Sequence, residues 1–351
     1  MHSLLQRRTQ RRRNILFNGC LTFAIFLPNP SFAAKNNRAD VPEEYETVGG
    51  HALAFGGSVV TAIGGVSAIR CNPAMLALEK EYSLNGSYNW PSAGRDFYQL
   101  GIIDGKTSPI AAGFSYSSAM DQYQGVSTGA PSSGQTNEQN LNLTADTPAV
   151  RRASLAVAMP VGRMYLGFGS SYVEAKPPGE AFVDSATKSV KGFTMGFGAV
   201  AHVTPQIRLG LSAENLANRK LAYVAPTFYR AGASYFLGDF ISLHLDYRKR
   251  EAVDIYEGRK PAFAISTDDQ AAGGTSGDNL INISSSIKVY DLLRLVTSAG
   301  QNQSSTSSSF RAAAGVSLIN QNFNFSYQVL RADLVRESVH HAVSLGVDVS
   351  I

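Results

Sequence analysis

The sequence predicts an all-β protein, a transmembrane antiparallel β-barrel of about fourteen strands whose lumen holds an N-terminal hatch segment. Three observations carry the prediction. Apolar and polar residues alternate along segments of about ten residues, the length that crosses a bilayer at barrel tilt. After Ala33 no uninterrupted apolar run reaches the roughly 18 residues that a spanning helix needs. The stretch His341 to Ile351 puts His, Val, Leu, Val, Val and Ile at odd positions, with Ala, Ser, Gly, Asp and Ser between them: one face for lipid, one for a lumen.

Residues 1–33 read as an export signal. Arg7, Arg8, Arg11, Arg12 and Arg13 precede the apolar stretch Ile15 to Leu27, and Ser31-Phe32-Ala33 offers a cleavage site after Ala33. Arg12-Arg13 also fits a twin-arginine signal, but that route carries folded cargo and a barrel reaches its membrane unfolded, so general secretion is the reading. Five of the 31 Lys and Arg residues lie here and none of the 27 Asp and Glu residues does, leaving 26 cations against 27 anions. The basicity leaves with the signal, and with it the case for a nucleic-acid partner. Cys20 leaves too, so Cys71 is the single thiol of the mature chain and reads as a small buried residue. With 44% hydrophobic residues and a mean hydropathy of −0.08, the chain is too polar for a helical membrane protein. Its 32 Gly and 15 Tyr beside one Trp suit a pleated wall with interfacial aromatics.

Residues 34–80 start polar and become rich in Gly and small apolar residues. Glycine doublets recur at Gly49-Gly50, Gly56-Gly57 and Gly64-Gly65, where a backbone must turn tightly or be closely approached. Asn72-Pro73-Ala74-Met75-Leu76 reads as a helix start, with Asn72 as N-cap and Pro73 at the first helical position. This segment is predicted to plug the lumen.

Residues 81–351 supply the barrel. Tyr82, Leu84, Tyr88 and Trp90 alternate with Ser83, Asn85, Ser87 and Asn89. Phe193, Met195, Phe197, Ala199, Ala201 and Val203 share one face; after a turn at Pro205-Gln206, Ile207, Leu209, Leu211 and Ala213 continue it, with Arg208, Ser212 and Glu214 opposite. Tyr229, Ala231, Ala233, Tyr235 and Leu237 lead through Gly238-Asp239 to Ile241, Leu243, Leu245 and Tyr247, against Ser242, His244, Asp246 and Arg248. Phe310 to Leu318 and Phe323 to Val329 repeat the pattern. Charges fall only on the expected lumen face, as they must where Arg or Lys on the lipid side costs about 2 to 4 kcal/mol at midplane.

Short turns are expected at Asp104 to Pro109, Gly162-Arg163, Thr204 to Gln206, Gly238-Asp239, Tyr290 to Leu292 and Ile319 to Asn322. Long polar connections are expected at Asp121 to Val150, Lys176 to Lys188, Asn218 to Pro226, Glu251 to Asp278 and Asn302 to Ser307. The two classes alternate only if Phe263 to Ser266 belongs to an outer excursion, which brings the count to about fourteen.

The run Gly50-His51-Ala52-Leu53-Ala54-Phe55-Gly56-Gly57, followed by Gly64, Ala68 and Asn72-Pro73-Ala74-Met75-Leu76-Ala77, resembles the hatch of the FadL-type long-chain fatty-acid transporter superfamily, which includes PorV-type proteins. Leu209 to Leu216 and Leu243 to Arg248 are similar to further habits of that family. The resemblance implies a fourteen-stranded bacterial outer-membrane barrel that moves hydrophobic small molecules or serves secretion machinery. It implies a hatch set by Gly56, Gly57, Gly64, Asn72, Pro73 and Ala74, with outer-membrane lipid and the barrel-assembly machinery as partners. Gly346, Val349 and Ile351, with Ser344, look like the signal which that machinery reads. The leading reading is passive transport of hydrophobic compounds; the alternative, favoured by the polar outer loops, is a PorV-like adaptor for a secretion or surface-attachment partner.

No enzyme, cofactor or metal chemistry is expected. His51, His202, His244, His340 and His341 are scattered, and the last two fall on opposite faces of one strand, so both cannot turn to one metal. Gly196-Phe197-Gly198 lacks the third glycine of a phosphate loop. The lumen candidates Arg208, Glu214, His244, Asp246 and Arg248 read as a solvated polar network, with a titrating site at the last three as the alternative. Trp90, Tyr88, Phe97 and Tyr98 read as an aromatic girdle.

Overall fold

The structure, a computed structural model, describes residues 49–57, 60–62, 64–78, 80, 82–91, 96–119, 149–176, 190–217, 221, 225–251, 277–290, 292–304, 308–320, 323–333 and 338–348. The expected signal at 1–33, Phe263 to Ser266, most of the long polar connections, Val349 and Ile351 lie outside the described residues.

Fourteen antiparallel strands close into one barrel. They are β1 (Tyr82–Pro91), β2 (Phe97–Asp104), β3 (Ala111–Ala119), β4 (Ala149–Val161), β5 (Met164–Lys176), β6 (Val190–His202), β7 (Ile207–Glu214), β8 (Phe228–Leu237), β9 (Ile241–Arg250), β10 (Asp278–Val289), β11 (Leu293–Ser304), β12 (Ser308–Asn320), β13 (Phe323–Asp333) and β14 (Ser338–Asp348). Each pairs with its sequence neighbours, and β1 pairs with β14 to complete the ring, so the wall has no free edge. The described short turns fall where the sequence places them, except that β12 runs on to Asn320 and shortens the turn expected from Ile319.

Period-two alternation decides which way each strand faces. Phe193, Leu211, Ile283 and Leu245 are 65%, 62%, 61% and 53% exposed, while Arg152, Arg230, His244 and Asp246 are buried inside. An apolar belt of this extent around the whole wall fits hydrocarbon, not water. Several outward charges correct the expected charge segregation: Arg151, Glu174 and Arg331 have outward parity two residues from a strand end, and two lysines are exposed. Lys191 and Lys249 are exposed on the outer face, but each is one residue from a strand end, where an ammonium reaches headgroups and water.

The aromatic girdle is also partly corrected. Tyr88 and Trp90 stack at 5.6 Å, Trp90 and His341 stack at 5.7 Å, and Tyr327 Oη shares a 2.8 Å hydrogen bond with His341 Nδ1. Tyr98 meets Tyr116 at 6.1 Å. Phe97 turns inward instead, into a buried cluster with Ala119, Val150, Val173, Ala175, Leu221 and Ala225. It is adjacent to Tyr98 on one strand, and neighbours on a strand cannot share a face.

Among the described residues before β1, two short helices, α1 (Gly50–Ala54) and α2 (Ala68–Cys71), and two 3₁₀ turns, Gly65–Ser67 and Pro73–Ala77, pack against the inner faces of the strands. Leu53, Ala54, Ile69, Cys71, Ala74, Met75 and Leu76 are all buried, and burial pushes the Cys71 thiol up, with the Glu214 carboxylate adding to it. The core of the molecule is the contact between this inner segment and the wall.

Candidate functional site

The inner segment is seated by glycines of the wall. A Cβ on Gly101 would stand 2.7 Å from Val66 Cγ1, on Gly113 3.0 Å from Ile69, on Gly210 2.7 Å from Thr61 Cγ2, and on Gly315 2.7 Å from the Ala54 Cβ. At Gly167 it would collide with the backbone of Pro73 and Ala74, and at Gly198 with Asn72 Oδ1 and the Pro73 ring. These glycines come from β2, β3, β5, β6, β7 and β12, so the segment is met from several sides of the ring. Missing side chains in the wall become room for a second backbone.

Asn72 works as the sequence predicts at this point. Its Oδ1 accepts from the Ala74 backbone N–H at 3.2 Å and its Nδ2 donates to the Val60 carbonyl at 2.8 Å. Pro73 opens the following turn, which is a 3₁₀ turn and not an α-helix. Gly56 and Gly57 have φ of 73° and 76°, a left-handed turn that glycine takes without a Cβ penalty. That turn presents the Phe55 carbonyl to Asn282 Nδ2 at 2.8 Å. Gly64 is extended and leads into Gly65–Ser67. Gly346 lies inside β14 and faces Asn85 and Asn324.

The five lumen candidates all face inward but do not form one site. Glu214 is held by three arginines: Arg70 of α2, Arg152 of β4 and Arg230 of β8, at 2.6, 2.8 and 2.7 Å, all buried. Arg208 donates to the Thr61 carbonyl at 2.8 Å and lies over the Phe236 ring. His244 sits between two serines, with Nδ1 2.6 Å from Ser234 Oγ and Nε2 2.9 Å from Ser242 Oγ, while Ser234 also bonds Thr61 Oγ1. Asp246 accepts from the Val60 N–H at 3.1 Å. Arg248 and Arg250 bind Asp278 at 3.3 and 3.1 Å. His244, Asp246 and Arg248 therefore share a face without sharing a partner. Most of these groups are spent on holding the inner segment, through Arg70, Val60 and Thr61. Among the described residues no group of three or more His, Cys, Asp or Glu side chains is placed to hold a metal.

Arg70, Arg152 and Arg230 are the residues that the sequence reading missed. Strand parity alone puts Arg230 inward, between the outward Tyr229 and Ala231. Nothing local connects it to Arg70 or Arg152, which lie 144 and 62 residues from Glu214.

No protein-family model and no curated protein matches the sequence. Solved structures do match in fold. The toluene transporter TbuX of Ralstonia pickettii is similar at 15% identity and a TM-score of 0.57, over 87% of this chain and 99% of that one. The toluene transporter TodX of Pseudomonas putida aligns at 11% identity and 0.54, over 87% and 98%. A Pseudomonas aeruginosa FadL homologue aligns at 11% and 0.54, over 86% and 98%. A closed fourteen-stranded antiparallel ring that superposes on these structures over nearly their whole length gives this chain the fold of the FadL-type outer-membrane barrels.

Proposed function

We propose that the mature chain is a bacterial outer-membrane barrel that takes up small hydrophobic compounds passively, with residues 34–80 as its hatch after cleavage of 1–33. The observation that carries the reading is the seat itself: a FadL-type wall whose inward glycines leave to the Pro73-Ala74 backbone at Gly167, and to the Asn72 amide and Pro73 ring at Gly198, the space that an added Cβ would take. Such a seat holds a stopper by shape and by a few polar ties, and a stopper held so can shift without unfolding the wall. That two structures of like fold are toluene transporters supports small apolar compounds as the cargo. Movement down a gradient needs no cofactor and no bond chemistry. In this reading Gly56, Gly57, Gly64, Asn72, Pro73 and Ala74 shape the hatch, while Gly346, Val349 and Ile351 mark the chain for barrel assembly. The test is early-time uptake of radiolabelled toluene by cells whose outer membrane carries the protein, with and without a protonophore. Faster uptake than in cells lacking it, unchanged by the protonophore, is the expected result; uptake equal to that of the empty cells contradicts it.

A further inference from the structure

We propose that Arg70 and Glu214 form a latch that holds the hatch shut and that opens by exchange within the arginine cluster, an inference that rests on reading the inner segment as a hatch. Glu214 Oε1 accepts from Arg70 Nε at 2.9 Å and Nη2 at 2.6 Å, and from Arg152 Nη1 at 2.8 Å; Oε2 accepts from Arg230 Nη2 at 2.7 Å. Arg70 belongs to α2, the other three residues to the wall, so one carboxylate ties the moving part to the fixed one.

The stoichiometry gives the tie its character. In an isolated buried pair, release would strand a carboxylate away from water, a heavy penalty that makes such a pair a rivet. Here Arg152 and Arg230 keep hold of Glu214 when Arg70 leaves. On the wall only the share of Arg70 is lost; Arg70 itself must carry its guanidinium to water or another acceptor as α2 moves, and its charge-assisted, two-point grip is strong while made. Surplus guanidinium thus makes the contact firm and reversible.

Its position favours movement. Glu214 ends β7, and β6 pairs with β7 over six positions, from Phe197–Ala213 to His202–Arg208, against twelve with β5. Beyond that point the backbone turns away at Asn215, φ 59°, and Ala217, φ 107°. A cleft lined by Arg70, Pro73, Thr194, Gly196, Glu214 and Asn215 lies beside the latch. The tie is made where the wall has least strand pairing.

Cys71 follows Arg70 on α2, is fully buried, and is the one thiol left after signal cleavage, so it reports the state of the latch without engineering. The mature protein in lipid vesicles is labelled with a water-soluble maleimide as wild type, Glu214→Gln and Arg70→Gln, with barrel closure checked by heat-modifiable gel mobility. Both variants should label roughly tenfold to a hundredfold faster than wild type, the size expected from weakened charge-assisted hydrogen bonds. Should Glu214→Gln fail to close because three guanidiniums lose their carboxylate, Arg70→Gln, which leaves Glu214 with two of them, decides. A closed Arg70→Gln barrel labelling at the wild-type rate overturns the latch. Toluene uptake measured on the same wild-type protein separates the two readings: uptake without faster labelling sinks the latch alone, and faster labelling without uptake sinks the transport reading alone.

Discussion

Arginine in place of Ile283 is expected to destabilise the inserted barrel by about 2 to 4 kcal/mol, and in place of Leu292 by about 0 to 1 kcal/mol. The two positions are 61% and 58% exposed, so burial alone predicts equal effects. They differ in depth. Ile283 is near the middle of the twelve-residue β10, facing out between Leu245 and Ala299, whereas Leu292 lies in the turn before β11. A guanidinium at the first has hydrocarbon on every side; at the second it reaches headgroups. Denaturant unfolding of each variant in vesicles gives the two values. Equal losses would mean that no membrane-depth gradient acts on this wall.

A single methyl group at Gly167 should unseat the inner segment while leaving the barrel closed. An added Cβ there meets main-chain atoms of Pro73 and Ala74, which cannot move unless the whole 3₁₀ turn moves. Overpacking of this kind costs about 1 to 3 kcal/mol. A penalty of that size raises the population of the displaced state roughly fivefold to more than a hundredfold. Gly198→Ala should be milder, since its nearest obstacle is the Asn72 amide oxygen, a side-chain end that can rotate at the expense of its bonds to Ala74 and Val60. The check is proteolysis of the segment in folded, heat-modifiable protein. Gly167→Ala should be cut fastest, Gly198→Ala next and wild type slowest; wild-type protection in Gly167→Ala would show that the seat is not a tight fit.

The sequence made the wall legible because the wall is built from a local rule. In β6, β8 and β9, parity assigns each described residue to a face without knowledge of the partner strand, and turn residues such as Gly162, φ 62°, and Gly238, φ 65°, mark where the rule restarts. Where a residue was misassigned, a local reason exists. Aromatic character groups Phe97 with Tyr98 although parity separates them, and Lys249 departs from the charge rule because depth, which parity does not encode, governs it. The lumen was legible only in part. Asn72 and Pro73 announce their cap because the bond runs two residues ahead. Glu214 was recognisable as inward, but its three arginines come from α2, β4 and β8, and His244, Asp246 and Arg248 divide among Ser234, Val60 and Asp278. Ring closure and register decide those meetings, and neither is written in a single strand.

The account rests on a ring whose odd and even residues see different media, and a spin-label scan along β10 measures that directly. Labels are placed singly at positions 279 to 287 in a Cys71→Ser background, and collision with oxygen, which concentrates in lipid, is compared with collision with a water-soluble nickel chelate. Oxygen access should peak at 281, 283 and 285 and fall at 280, 282 and 284, with a period of two residues. Equal access on both faces, or water-soluble relaxant reaching 281 and 283 as freely as oxygen does, would contradict it.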